Sequence, residues 1–166
     1  MKYCYGIDIG GTTVKMGFFS TSGELLQKWE IPTRVENGGE SILLDICESA
    51  NRQLKDLSIT PEDVLFMGVG VPAAVRGNGI VDSTTNLGWG YKEVKRELEE
   101  MSGFKVYVEN DANVAALGEM WKGSGSGYHN MVMITLGTGV GGGVIVNGHL
   151  VTGKNGGAWR YLRELQ

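Results

Sequence analysis

Two glycine-rich segments and one acidic segment between them carry residue types that phosphoryl transfer requires. The glycine segments are Asp8-Ile9-Gly10-Gly11-Thr12-Thr13-Val14-Lys15 and Leu136-Gly137-Thr138-Gly139-Val140-Gly141-Gly142-Gly143, and Glu109-Asn110-Asp111 lies between them. Glycine lets a backbone approach a phosphate closely, so that N–H groups and threonine hydroxyls face the anion. A carboxylate can accept the proton of an attacking hydroxyl. The three segments together predict a phosphoryl-transfer site.

Neither glycine segment has the pattern of a P-loop or of a dinucleotide-binding fingerprint. The first lacks a Gly-Lys-Ser/Thr ending, and the second precedes a strand-like Val144-Ile145-Val146 and an Asn147-Gly148 turn instead of a helix. We therefore predict that both segments are loops of β-hairpins.

The N-terminal part of the chain has the pattern of a sheet followed by a crossover helix. Three successive strand-like runs predict antiparallel strands at Tyr3–Ile9, Val14–Ser20 and Glu24–Ile31. Apolar residues at three-to-four spacing predict an amphipathic helix over 39–57, and a near-continuous apolar run predicts a buried strand over 64–71.

The later elements complete one lobe and begin another. A second helix should end at Ser102-Gly103, a strand should follow at 104–108, and Asn110 or Asp111 should cap a third helix that ends near Lys122. A glycine-rich hinge at 123–127 and a fresh hairpin follow. This order predicts an α/β fold: a lobe with a mixed sheet and flanking helices at 1–122, and the hinge and start of a second lobe at 123–166.

Composition limits the classes of partner. The chain has 166 residues, 42% of them hydrophobic, which is enough for a substantial core. The net charge is −4 and the basic residues are scattered, so we expect neither nucleic acid nor membrane as a partner. There is no apolar run of about 18 residues and no signal-peptide pattern, which favours a cytoplasmic protein.

The segment after the hinge is too short for a core of its own. About forty residues follow the hinge, so we expect the second lobe to be incomplete and the chain to be truncated. An incomplete lobe leaves apolar hairpin surface exposed, which predicts self-association into a homo-oligomer.

Four segments, in this order, resemble the ROK family of sugar kinases, repressors and open reading frames, and most closely its bacterial glucokinases. The resemblance covers nearly the whole chain, to about Ala158. It implies an actin-like ATPase (ribonuclease H-like) fold, in which two α/β lobes close on ATP and a sugar and the γ-phosphoryl passes to a sugar hydroxyl. The segments are Asp8-Ile9-Gly10-Gly11-Thr12, Asn86-Leu87-Gly88-Trp89, Glu109-Asn110-Asp111-Ala112-Asn113 and the second glycine segment.

The resemblance also implies roles for individual residues on the sugar side of the site. Asp111 would be the catalytic base, and Asn110 and Asn86 would hydrogen-bond other sugar hydroxyls. Other interpretations of the same residues stay open: Asp111 could serve as a helix cap, and Asn86 could merely shape a turn.

On the phosphate side, the resemblance implies that the backbone of both glycine segments surrounds ATP. Asp8 would lie near Mg²⁺ and hold it through water, although an aspartate before Gly-Gly could also be a simple turn former. The residues that would face the phosphates are Gly10, Gly11 and Thr12 in the first segment and Gly137, Thr138 and Gly139 in the second.

The sequence departs from the family pattern at Trp159. The family's sugar-binding glutamate, its zinc-binding histidine, its cysteine-rich zinc motif and its adenine pocket are not found, so the structural zinc expected of the full-length family lacks its ligands here. Three alternatives remain. The chain could be part of a kinase, part of a sugar-responsive repressor, or an inactive sugar-binding lobe. Because the first strand begins at once, a DNA-binding module is not expected before it. The sequence does not choose among hexoses.

Overall fold

A five-stranded and a three-stranded β-sheet joined by one helix, together with a two-stranded ribbon, form the structure, a computed structural model that describes residues 1–136 and 140–153. A short 3₁₀ turn, Pro61–Asp63, leads into the fourth strand. In chain order the other elements are β1 (Tyr3–Ile9), β2 (Thr13–Ser20), β3 (Leu25–Pro32), α1 (Glu36–Gly39), α2 (Ile42–Asp56), β4 (Val64–Val71), β5 (Val75–Arg76), β6 (Ile80–Val81), α3 (Val94–Ser102), β7 (Val106–Asn110), α4 (Asp111–Lys122), β8 (Met131–Leu136), β9 (Val140–Val146) and β10 (His149–Leu150).

The larger sheet has five strands in the order β3-β2-β1-β4-β7. The first three strands pair antiparallel, whereas β4 runs parallel to β1 and β7 runs parallel to β4. The sheet is therefore mixed, as predicted. Parallel pairing of β1, β4 and β7 brings their carboxyl ends to the same edge of the sheet.

The main core lies on the face of this sheet that α2 and α3 cover. Tyr5, Ile7 and Ile9 alternate along β1 and are 1%, 4% and 1% exposed. The Tyr5 hydroxyl donates to Ala50 O on α2 at 3.0 Å, so the one polar atom of this buried ring has a partner. Burial of such side chains stabilises the fold by roughly 1.5–3 kcal/mol each and fixes the sheet under its carboxyl edge.

Two predicted elements differ from the structure by more than one residue. The long helix starts at Ile42 rather than at residue 39, because Gly38 and Gly39 have φ of 72° and 66° and form a separate turn with Asn37. The strand after α3 runs from Val106 to Asn110 instead of over 104–108. Pairing with β4 continues to Val71↔Asn110, and this pairing extends the strand toward the edge where the polar residues lie.

Helix α4 also packs against the smaller sheet, whose order is β10-β9-β8. A Cβ at Gly143 would lie 2.5 Å from Ala116 Cβ, so glycine at this position allows β9 to approach the helix closely. The predicted Asn147-Gly148 turn is confirmed, with φ of 52° and 78°. Since α4 contacts both sheets, the division into lobes at residue 122 stays a prediction.

The predicted hinge at 123–127 follows α4 as a turn that is hydrogen-bonded to the helix. Gly125 N donates to Glu119 O at 3.0 Å, and Ser124 N and Oγ donate to Glu119 Oε2 at 3.0 Å. Among the described residues, no helix is both long and apolar enough to cross a membrane.

Candidate active site

The candidate site lies at the carboxyl ends of β1, β4 and β7. In register, Asp8 of β1 is next to Gly70 of β4, which is next to Glu109 of β7. The carboxyl ends of neighbouring parallel strands are the usual position of ligand sites in α/β sheets. The structure thus brings the first glycine segment and the acidic segment to one edge, as the sequence predicted.

The first glycine segment is the loop of a β-hairpin, which confirms its prediction. The ladder between β1 and β2 reaches Ile9↔Val14, and Gly10 N donates to Thr13 O at 3.0 Å. A Cβ at Gly10 would lie 2.8 Å from the same oxygen, so the turn requires glycine there. Beyond Gly10, the loop consists of Gly11 and Thr12, and both are exposed, as is the Asp8 side chain.

Asn110 is the N-cap of α4. It has extended φ and ψ of −60° and 141°, and its Oδ1 accepts from Ala112 N at 3.1 Å and from Asn113 N at 3.2 Å. Its Nδ2 donates to Ala73 O at 3.1 Å and to Asp111 Oδ1 at 3.0 Å. An asparagine amide has two donor hydrogens and two acceptor lone pairs, so protein groups occupy all four positions.

Asp111 is the first residue of α4, and the hydrogen bonds that its carboxylate accepts from described residues all reach one of its two oxygens. Its Oδ1 accepts from Ala112 N at 2.8 Å and from Asn110 Nδ2 at 3.0 Å. Its Oδ2 has no donor within residues 1–136 and 140–153. The side chain reaches solvent. One oxygen is therefore fixed while the other can accept a proton.

The surroundings of Asp111 raise the pKa of its carboxyl group. Partial burial at the junction of β7 and α4 is the largest cause, and the negative charge of Asp8 also raises this pKa. Hydrogen bonds from Ala112 N and Asn110 lower it and offset part of the shift. A raised pKa makes a carboxylate a stronger base, which suits a group that takes a hydroxyl proton.

Gly70 separates the two aspartates. A Cβ there would be 3.6 Å from Asp111 Cα and 3.7 Å from Ile7 O, on the strand that carries Asp8. The end of β1 and the first turn of α4 therefore both lie within van der Waals distance of a methyl group placed on Gly70.

Asn86 lies beside the glycine hairpin. A Cβ at Gly11 would lie 3.5 Å from both Asn86 Cβ and Asn86 O, so this loop and the hairpin are in contact. Leu87 is fully buried, and its N donates to Thr84 Oγ1 at 3.1 Å. Trp89 is 3% exposed and its Nε1 donates to Gly39 O at 3.0 Å. The loop is anchored on both sides of Asn86, whose side chain is exposed.

The predicted phosphate contacts of the second glycine segment, Gly137, Thr138 and Gly139, lie outside the described residues. The strands on either side of them pair antiparallel as far as Leu136↔Val140. A Cβ at Gly141 would lie 3.1 Å from Ala112 Cβ, in the residue that follows Asp111. The second hairpin therefore packs beside the first turn of α4.

Sequence analysis assigned no role to several residues that shape this site. Asn113 is 6% exposed, and its Nδ2 donates to Glu109 Oε1 at 3.0 Å. Thr33, which follows β3, contacts the first glycine hairpin through two hydrogen bonds. The motif around Asp111 could have pointed to Asn113, but nothing local in the sequence marks Thr33.

The residues present fit magnesium better than zinc. Mg²⁺ prefers one or two carboxylates together with water and phosphate oxygens, and the exposed Asp8 at a strand end can bind it through water. A structural zinc needs four thiolate, imidazole or carboxylate ligands. Within residues 1–136 and 140–153, no group of three or more His, Cys, Asp or Glu side chains is arranged to hold a metal.

A mixed sheet with flanking helices, a glycine hairpin and an aspartate at its carboxyl edge defines one lobe of an actin-like ATPase. The sequence matches the ROK family over residues 4–159, and the chain belongs to this family. The resemblance and the fold class predicted from the sequence are thereby confirmed.

Alignments with known proteins extend over nearly the whole of this chain. The glucokinase of Halalkalibacterium halodurans is 44% identical over 156 residues, which are 93% of this chain and 47% of that protein. The ROK family glucokinase from Streptomyces griseus, in complex with glucose and AMPPNP, is 34% identical with a TM-score of 0.81, over 93% of this chain and 47% of that one. A ROK family transcriptional regulator, a homologue of the E. coli MLC protein, has a TM-score of 0.82 at 20% identity over 93% of this chain and 39% of its own, which is a likeness of fold alone. The chain spans about half the length of the curated relatives that it matches.

Proposed function

We propose that this chain carries the sugar-phosphorylating half of an ATP-dependent hexose kinase that acts in the cytoplasm. The observation that carries the proposal is Asp111, a carboxylate at the sheet edge with a raised pKa and one oxygen that has no donor among residues 1–136 and 140–153. The exposed glycine hairpin lies at the same edge. Similarity to glucokinases supports a hexose as the acceptor.

In this proposal, Asp111 accepts the proton of the attacking sugar hydroxyl at Oδ2, while Ala112 N keeps Oδ1 in place. Phosphoryl transfer depends mainly on positioning and on stabilisation of charge, so the base must be rigidly oriented. When bound, ATP supplies the γ-phosphoryl and Mg²⁺ offsets its charge. Asn86, beside Gly11, is placed to bind another sugar hydroxyl.

The proposed role of Asn110 as a sugar ligand requires an exchange of hydrogen bonds. All four of its positions are filled, and three of its partners are backbone groups of β4–β5 and α4. The bond to Asp111 Oδ1 is the one that a sugar hydroxyl can replace most readily. A sugar that binds there therefore contacts both side chains at once.

The same geometry would serve a lobe that binds sugar without transferring phosphate, either alone or in a sugar-responsive repressor. Phosphate transfer to a sugar distinguishes a kinase from these two alternatives. The assay uses a panel of hexoses with ATP and Mg²⁺, and it is run on the 166-residue chain and on the same chain fused to the second half of the Halalkalibacterium halodurans glucokinase. Asp111→Ala is the control in both proteins.

We expect hexose phosphorylation by the fusion protein and its loss in Asp111→Ala. Turnover by the 166-residue chain itself would mean that self-association completes the cleft. A folded fusion protein that binds a hexose in calorimetry and transfers no phosphate would contradict the proposal and favour the binding function.

A further inference from the structure

The connection between β3 and α2, residues 33–41, is hydrogen-bonded to the first glycine hairpin. Thr33 begins this connection and is 9% exposed. Its Oγ1 donates to Gly10 O at 2.7 Å, and its backbone N donates to Thr12 O at 2.9 Å. One buried residue thus binds both ends of the Gly10-to-Thr12 loop.

These bonds determine where the loop's N–H groups point. In a planar trans peptide, a carbonyl and the N–H of the next residue point in opposite directions. Because Thr33 binds the Gly10 carbonyl on the buried side, the Gly11 N–H points toward the exposed side. The bond to Thr12 O directs that carbonyl toward the end of β3, and the Thr13 N–H points away from it.

A loop of this kind needs such a support. Gly10 and Gly11 have no side chains to restrict them, and glycine is the residue with the most backbone freedom. A donor that binds a phosphate well must already be oriented before the phosphate arrives. Within the loop, the only turn bond that the described contacts include is Gly10 N to Thr13 O.

We infer that Thr33 is the positioning residue of this hairpin, and that its hydroxyl orients the Gly10–Gly11 peptide toward a phosphate group. The inference rests on the proposed function, because it assigns the hairpin to the phosphates of ATP. Thr33 acts through the hairpin and does not itself contact a substrate.

The test compares Thr33→Val, which keeps the shape and the backbone N–H but lacks the hydroxyl, with Thr33→Ser, which retains the hydroxyl. Thr60→Val is the matched control, because Thr60 Oγ1 donates to Asp63 at 3.3 Å in an exposed turn far along the chain. Two readouts are taken: amide NMR signals of Gly11 and Thr13 in the 166-residue chain, and steady-state kinetics of the fusion protein described above.

For Thr33→Val we expect a changed Gly11 amide signal with little change at Thr13, whose peptide keeps its bond to the Thr33 backbone. We also expect a fall of about 10- to 100-fold in kcat/KM for ATP with the KM for hexose within about two-fold, because misorientation of a donor costs about this much. Thr33→Ser should stay near wild type in both readouts, and so should Thr60→Val.

The two proposals fail in different ways. If wild-type protein transfers no phosphate, or if Asp111→Ala retains transfer, the proposed function is wrong, and the Gly11 signal alone decides whether Thr33 orients the loop. If wild-type protein is active and Asp111→Ala is not, but Thr33→Val matches wild type in signal and kinetics, the inference about Thr33 is overturned. If Thr33→Val disturbs the whole fold, its unfolding midpoint falls and its amide signals change throughout the spectrum. In that case the Gly11 amide signal of Thr33→Ser decides whether the Thr33 hydroxyl orients the loop.

Discussion

Asn110 Nδ2 donates to Asp111 Oδ1 at 3.0 Å, and this bond joins the cap of α4 to the candidate base. The same amide caps the helix through Oδ1 and binds Ala73 O at the end of β4. The sequence allows Asp111 to be a helix cap, a catalytic base or both. The structure assigns the N-cap to Asn110, which leaves Oδ2 of Asp111 open to a substrate.

Asn110→Ala and Asn110→Ser should separate stability from activity. Alanine leaves the Asn113 N–H without its acceptor and the Ala112 N–H with Asp111 Oδ1 alone, which should cost about 1 kcal/mol of unfolding free energy. Serine restores an acceptor but cannot donate to both Ala73 O and Asp111. In urea unfolding we expect serine to recover most of the stability, while phosphate transfer stays low in both variants. Full activity of the serine variant would mean that Asp111 does not depend on Asn110.

Asp8→Asn should move the pH dependence of transfer. The charge of Asp8 helps to raise the pKa of Asp111, so its removal should lower that pKa. A base works in its ionised form, and the acidic limb of the kcat profile should therefore shift to lower pH, even though the loss of the proposed magnesium partner should lower the rate overall. The measurement is kcat against pH at saturating substrates. An unchanged limb would show that the charge of Asp8 does not influence the group that titrates.

The raised pKa of Asp111 predicts how the stability of the wild type, relative to Asp111→Asn, changes with pH. A folded pKa above the unfolded value of about 3.9 means that the folded state binds the proton more tightly. The wild type therefore loses stability relative to the asparagine variant as pH rises from about 4 through the folded pKa, and the difference stays constant above it. Denaturant unfolding of both proteins across this range provides the check. A wild type that gained stability relative to the variant with rising pH would contradict the sign.

Two glycine-to-alanine changes should have opposite effects. A Cβ at Gly143 would lie 2.5 Å from Ala116 Cβ and 3.1 Å from Ala112 O, so alanine should lower the unfolding free energy by roughly 1–3 kcal/mol. Gly118 is within α4 with no atom within 4 Å of the added methyl, and alanine there should raise it by about 0.5–1 kcal/mol. Thermal unfolding of the two variants compares them directly. Equal effects would mean that close contact of β9 with α4 does not contribute to stability.

The sequence predicted the parts of the site that depend on local chemistry. The hairpin at Gly10 follows from glycines between two strand patterns, and the position of Asp111 follows from a buried strand that meets a capped helix. Both predictions hold because turn and cap preferences act over a few residues.

The supports of the site depend on contacts between distant residues. Thr33 lies 23 residues from Gly10, and Trp89 lies 50 residues from Gly39, whose carbonyl it binds. Trp89 beside the proposed sugar loop could have been a stacking surface, but it is buried and anchors that loop. No local pattern records such contacts, because they form only when the sheet brings the segments together.

Single-turnover transfer by Asp111→Asn in the fusion protein, with hexose affinity measured alongside by calorimetry, tests whether Asp111 is the base of a phosphoryl transfer to a hexose. Asparagine keeps the Oδ1 acceptor and removes the basic oxygen. We expect hexose affinity within about ten-fold of wild type and transfer slower by about 10²- to 10⁴-fold, the usual contribution of a general base. Transfer within a few-fold of the wild-type rate would contradict this role of Asp111.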